Sequence, residues 1–306
     1  MKKPLLFLFV IGFLLVILIG LALLVAFLFL PFQDVSTGGF FGAKQIALIP
    51  VKGEILSEET GFTSFASSQK IVDALDKAEN DPRVGAIFLD IDSPGGTIVA
   101  TKQIVAKLRS MNKPKVAWIG ESGASGAYYL AAASDFIMAD EDSITGSIGV
   151  LSISPNIEGL LEKIGVKVNV LKEGNFKAMG SPFEEMTEEE EQLLQQLLSD
   201  AFSHFKRDVL ELRKGKITKA EFERIADGRI LSGSQAKESG LVDELGNREE
   251  AIQKAAELAG IQGKPVLKNY VEREDVFSMF SNAGYSFGTG FISAIRTQNK
   301  PISIQT

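Results

Sequence analysis

The chain has 306 residues, 45% of them apolar, and a net charge of −7 that deepens to about −9 once Lys2 and Lys3 are set aside. That acidic balance argues against nucleic acid as a partner. The absence of cysteine excludes disulfides, thiolate metal sites and a cysteine nucleophile, and a single histidine excludes metal centres built on several His ligands, so no cofactor is expected.

Leu5 to Phe32 is a run of 28 residues without a charged or strongly polar side chain. At ~1.5 Å per residue it reaches about 42 Å as a helix, more than a ~30 Å hydrocarbon core needs. The run predicts an N-terminal transmembrane helix. A cleavable signal peptide would have an apolar core of ~7–15 residues ending at a small-x-small site. Here the run ends Phe29-Leu30-Pro31-Phe32, which favours an uncleaved signal anchor in the cell membrane. Lys2 and Lys3 precede it and Asp34 is the first charge after it, so the N-terminus is expected in the cytoplasm and the rest of the chain outside. The expected organisation is a cytoplasmic stub and anchor over 1–33, a Gly-rich linker over 34–44, one large domain over 45–280, and a mobile tail over 281–306 rich in Ser, Gly, Thr and Asn.

Within the domain, apolar runs of strand length alternate with helical spacing. Ile46–Val51, Val84–Ile91, Lys115–Ile119, Phe136–Ala139 and Val166–Leu171 predict strands, while Ser68–Glu79, Ile98–Met111 and Ala127–Ala133 predict helices. This rhythm implies an α/β domain with crossover connections. From Thr187 to about Arg213 a capping box (Thr187, Glu190) opens a long helix, with Leu194, Leu198, Phe205, Val209 and Leu212 on one face. Its acidic start, Glu188 to Glu191, complements the helix dipole and is not a metal site. Gln235–Ser239 and Glu249–Leu258 predict two more helices.

Few residue types remain for catalysis. His204 lies in the long helix, about 100° from the apolar position Phe205, which marks a rim position without a role. Without it, a lysine is the natural base for nucleophilic attack on an amide. Ser125 sits in Gly123-Ala124-Ser125-Gly126-Ala127, between a strand and a helix, where small neighbours permit a tight turn that exposes the hydroxyl and aims the Gly126 N–H at a substrate oxygen. The same position suits a plain helix cap, and both readings stay open. Asp90-Ile91-Asp92-Ser93-Pro94-Gly95-Gly96 ends a strand in a two-glycine turn that can present a backbone donor or serve simply as a turn, with Asp90 and Asp92 as caps and turn formers. In Gly174–Pro182, Lys177 is flanked by Phe176, Ala178 and Met179, which could bury it as a neutral base requires. Lys172 and Lys167 are equally eligible on these grounds.

Taken together, these stretches resemble the signal peptide peptidase A (SppA) family of Ser-Lys membrane proteases. The resemblance runs from about Gln45 to Leu258 and is densest in Asp92–Gly96, Ala124–Val150, Gly174–Glu191 and Asp227–Gly246. Ala124-Ser125-Gly126-Ala127-Tyr128-Tyr129 matches the family's nucleophile motif, apart from Ala127 where Gly is usual. The resemblance implies Ser125 as nucleophile, Lys177 as general base and Ser147, in Thr145-Gly146-Ser147-Ile148-Gly149-Val150, as the serine that orients the lysine. It implies an oxyanion hole of the Gly96 and Gly126 N–H groups. It also implies a fold of stacked ββα units like that of Clp protease and crotonase, a homo-oligomer that walls off its sites, and substrates that are signal peptide remnants and other apolar, membrane-derived peptides. Rival expectations are a SohB-like or stomatin-associated Ser-Lys protease, which the Asp227–Gly246 stretch disfavours, a non-catalytic membrane scaffold, and a crotonase-like acyl-CoA enzyme.

Overall fold

The computed structural model describes Leu18 and residues 44–58 and 65–271. The chain divides into two compact units, 1–43 and 44–306. The expected anchor (Leu18 apart), nearly all of the linker and the expected tail lie outside the described residues. Among the described residues no helix is long and apolar enough to cross a membrane.

The second unit opens with β1 (Gln45–Lys52), whose alternation buries Ala47, Ile49 and Val51 on one face and Ile46 on the other. Two short strands, β2 (Ile55–Leu56) and β3 (Ala66–Ser67), pair in parallel as a small separate sheet. Then follow α1 (Ser68–Asn80), β4 (Val84–Ser93), α2 (Ile98–Ser110), β5 (Lys115–Ala124), α3 (Gly126–Ala132), β6 (Phe136–Ala139), β7 (Ile144–Gly146) and α4 (Glu158–Lys163). The long α5 (Glu188–Leu212) leads to α6 (Lys219–Ile225), β8 (Ile230–Ser232), α7 (Gly233–Glu238), β9 (Glu244–Leu245), α8 (Arg248–Ala259) and β10 (Val266–Asn269).

The main sheet has eight strands in the order β10-β1-β4-β5-β6-β9, with β7 pairing β5 and β8 pairing β7. Every pairing in it is parallel except β7 with β8. A parallel sheet must be covered on both faces, which explains why β4 reads as an almost unbroken apolar run. On one face Ile87, Leu89 and Ile91 meet Ile71 and Leu75 of α1, Ile104 and Leu108 of α2, and the small residues of α3. On the other, Phe88, Val116 and Met138 meet Ala251, Ile252, Ala255, Ala256 and Ala259 of α8. Each fully buried Ile, Leu or Phe in these layers contributes about 1.5–3 kcal/mol by leaving water.

Two expectations change. Val166–Leu171 is not a strand. Among the described residues no strand receives it, and Val166, Val168, Val170 and Leu171 stand exposed. Asp90 is not a cap or turn former. It is buried in β4, where its carboxylate accepts from Lys52 (2.6 Å) and from Arg248 at the start of α8 (2.9 Å). The capping box at Thr187 and Glu190 is present as expected.

Candidate active site

β5 ends at Ala124 and α3 begins at Gly126, so Ser125 alone makes the turn. Its backbone stands at φ 52° and ψ −121°. Only one other non-glycine among the described residues has a positive φ, and it is Ser147, at φ 50°. Such a conformation costs on the order of 1–3 kcal/mol and persists only where the surroundings impose it. Here the sheet imposes it. Ala124 and Gly146 are register partners in β5 and β7, and the Ser125 N–H donates to the Gly146 carbonyl at 2.9 Å. The Ser147 N–H donates to the Arg229 carbonyl at 2.8 Å. The two strained serines therefore follow directly on paired residues of adjacent parallel strands. The half-buried Ser125 side chain does not cap α3, which removes the helix-cap reading.

The two-glycine turn after β4 meets this serine. Gly95 has φ +102°, and a Cβ built on it would lie 2.8 Å from the Gly126 nitrogen and 3.0 Å from Ser125 Cβ. A Cβ on Gly126 would lie 3.4 Å from the Gly96 nitrogen. Any side chain at Gly95 would hold the two turns apart. The directions of both amides are also fixed. The Gly95 carbonyl accepts from Ile55 N–H at 2.8 Å, so the trans peptide sends the Gly96 N–H the opposite way. The Ser125 carbonyl accepts from Tyr129 N–H at 3.0 Å, which does the same for Gly126. Neither N–H has a partner among the described residues. Two anchored, unpaired donors beside a serine form the arrangement that stabilises developing negative charge on oxygen.

Lys177 lies elsewhere. It is exposed in the turn over 174–180, its N–H donates to the Gly174 carbonyl at 3.1 Å, and its amine makes no hydrogen bond or ion pair among the described residues. The single chain thus brings together Ser125, Ser147, Gly96 and Gly126 and does not join Lys177 to them by any hydrogen bond. Lys172 is the poorer base, because its hydrogen bond to Glu184 (2.8 Å) holds the ammonium above the usual lysine range. His204 is exposed on α5, as its helical position implied. A cleft of about 400 Å³ beside Trp118, Asp92, Glu121, Asp140 and Asp142 includes none of the residues around Ser125.

Residues 107–262 match the family model for peptidase family S49, a span that holds Ser125, Gly126, Ser147 and Lys177. A Methanocaldococcus jannaschii protein named "Putative protease" is 33% identical over 298 residues, covering 95% of this chain and 94% of that protein. The chain belongs to peptidase family S49. Within S49 it also resembles an Enterococcus faecium protein named "Putative signal peptide peptidase SppA", at 36% identity over 217 residues, 68% of this chain and 62% of that one. "Protease 4" of Haemophilus influenzae is 32% identical over 217 residues, 70% of this chain but only 35% of that protein. This S49 peptidase accordingly falls in the SppA group. Sequence reasoning missed Gly95. Its signal was the Pro-Gly-Gly order itself, which could not reveal that the first glycine packs against the Ser125 turn.

Proposed function

We propose that this peptidase is a membrane-anchored serine endopeptidase that uses a Ser125–Lys177 dyad to cleave signal peptide remnants and other apolar, membrane-derived peptides. The observation that carries the reading is the strained Ser125 seated between the two free amides of Gly96 and Gly126 and beside the equally strained Ser147. The anchor rests on the apolar run from Leu5 to Phe32, and the outward-facing domain on Lys2 and Lys3 before it. The layered parallel sheet is compatible with the stacked ββα units of the Clp protease and crotonase fold.

In this mechanism neutral Lys177 takes the Ser125 hydroxyl proton as Oγ bonds to the substrate carbonyl carbon. The carbonyl electrons move to oxygen, where the Gly96 and Gly126 N–H groups hold them. Collapse breaks the C–N bond, and the Lys177 ammonium protonates the departing amine. Water then attacks the ester, giving its proton to Lys177, which returns it to Ser125 as the C–Oγ bond breaks. Ser147 accepts a hydrogen bond from the lysine and fixes its direction.

Lys177 reaches Ser125 through self-association. Ten of the twenty exposed large apolar side chains among the described residues fall between Leu151 and Phe183, on the segment that carries Lys177. The hydrogen bonds of that segment close on itself, as in Ile157 N–H to the Pro182 carbonyl (2.8 Å) and Ser154 Oγ to the Gly180 carbonyl (2.8 Å). An apolar surface of this extent calls for a partner, and a second copy would bury it while bringing a lysine to the serine. The test uses full-length chain in detergent with an apolar fluorogenic peptide. Ser125→Ala and Lys177→Ala are each expected to lose activity by at least about a thousandfold, and a mixture of the two to recover part of it. Full activity in Lys177→Ala would remove that residue from the role.

A further inference from the structure

Among the described residues three buried side-chain polar atoms lack a hydrogen-bond partner: Glu79 Oε2, Thr101 Oγ1 and Ser134 Oγ. Only Thr101 touches the site. It lies in the first turn of α2, just after the Pro-Gly-Gly turn, and is 2% exposed. A helical threonine can bond the carbonyl three or four residues back in addition to the backbone N–H, but the Thr101 hydroxyl makes no such bond. Thr101 Oγ1 instead occupies the space where a side chain at Gly126 would lie. A Cβ built there would lie 2.6 Å from Oγ1, 3.3 Å from the Thr101 methyl and 3.4 Å from the Gly96 nitrogen. The orphan hydroxyl and both free amides therefore surround one point.

A buried hydroxyl without a partner is destabilising, and a valine of the same shape would avoid the penalty. We propose that Thr101 is a positioning residue of the oxyanion hole: its hydroxyl backs the Gly126 turn and supplies a hydrogen bond to that backbone as the turn adjusts to the charged intermediate. The inference rests on the active-site reading above. The hydroxyl is unpaired at rest because its partner geometry arises only during the reaction, just as the strain at Ser125 is kept for function.

The test measures kcat, KM and Tm for full-length wild type, Thr101→Val, Thr101→Ser and Ser125→Ala in detergent with an apolar fluorogenic peptide. Thr101→Val is expected to raise Tm by about 2–4 °C, to lower kcat roughly tenfold and to leave KM within about twofold. Thr101→Ser, which keeps the hydroxyl, is expected to hold kcat within about threefold of wild type. Wild-type kcat in Thr101→Val would overturn the proposal. So would a lower Tm in that variant, since the hydroxyl would then have a partner at rest, or an equal loss in Thr101→Ser, which would assign the effect to the methyl. Activity retained in Ser125→Ala, or absent from wild type, would instead remove the active-site reading and the proposal with it.

Discussion

At the scale of single residues, the site is written in backbone conformation more than in side-chain chemistry. Ser125 and Ser147 each hold a left-handed φ that serine disfavours, and Gly95 and Gly126 stand where a Cβ would collide. Gly95 carries the sharpest consequence. Alanine there would have to adopt φ +102° and place its methyl 2.8 Å from the Gly126 nitrogen. Gly95→Ala is expected to cut kcat/KM by about a hundredfold or more, as loss of an oxyanion donor does, and to lower stability because alanine resists that φ. Steady-state kinetics and thermal melting check both, and a fully active Gly95→Ala would show that the two turns do not act together. Ser147→Ala keeps the backbone but removes the hydroxyl, so it tests orientation of the lysine apart from the strain.

At the scale of elements, long α5 is tied to the domain by a few buried polar contacts. The Tyr129 hydroxyl, just beyond the Ser125 turn, donates to Asp208 of α5 at 2.5 Å. Arg213, at the helix end, donates to both Asp243 oxygens (3.1 and 3.0 Å) and to the Gly240 carbonyl, with both side chains of the pair under 5% exposed. Removing one partner of such a pair leaves the other charge buried. Asp243→Ala is therefore expected to destabilise the fold by about 3–5 kcal/mol in urea unfolding, and a change under about 1 kcal/mol would show that water and the Gly240 carbonyl suffice for Arg213. Elements also divide what the sequence disclosed from what it hid. β1, β4, β5 and β6 were legible because sheet burial on both faces makes them apolar runs, and α5 because its capping box and stripe are explicit. Strands β2, β3, β7, β8 and β9 have two or three residues each, too few for any period to show. Val166–Leu171 misled because its alternating valines need a surface to pack on, which the described residues of one chain do not supply. Ser125, Ser147 and Gly126 were legible through motif order. The meeting of Gly95 and Thr101 with Gly126 was not, because residues some 25–30 positions apart come together only through the parallel register of β4 and β5.

At the scale of the whole molecule, charge and exposed apolar surface set solution behaviour. Burial raises the Asp243 carboxyl, but the Arg213 and Lys216 contacts outweigh it and bring it below the ordinary range. Asp208 follows the same pattern, with burial opposed by Tyr129 and Arg207. Asp81 is held low by its bonds from Arg83 and Tyr270, and Asp227 falls to about 2 beside Arg229. Folded values below the unfolded ones mean stability that is complete above the unfolded carboxylate range and lost as pH falls through the folded values. Tm at constant ionic strength is expected to hold from about pH 8 to pH 5 and to fall progressively below about pH 4. A Tm unchanged down to pH 2 would contradict these assignments.

Covalent labelling can show whether Ser125 is a nucleophile activated by Lys177. Full-length protein in detergent is treated with a serine-directed acylating inhibitor, and the adduct is located by intact mass and peptide mapping. One adduct per chain on Ser125 is expected in wild type, none in Ser125→Ala, and acylation slowed by at least about a hundredfold in Lys177→Ala. An adduct on another residue, or wild-type labelling of Ser125 in Lys177→Ala, would contradict that assignment.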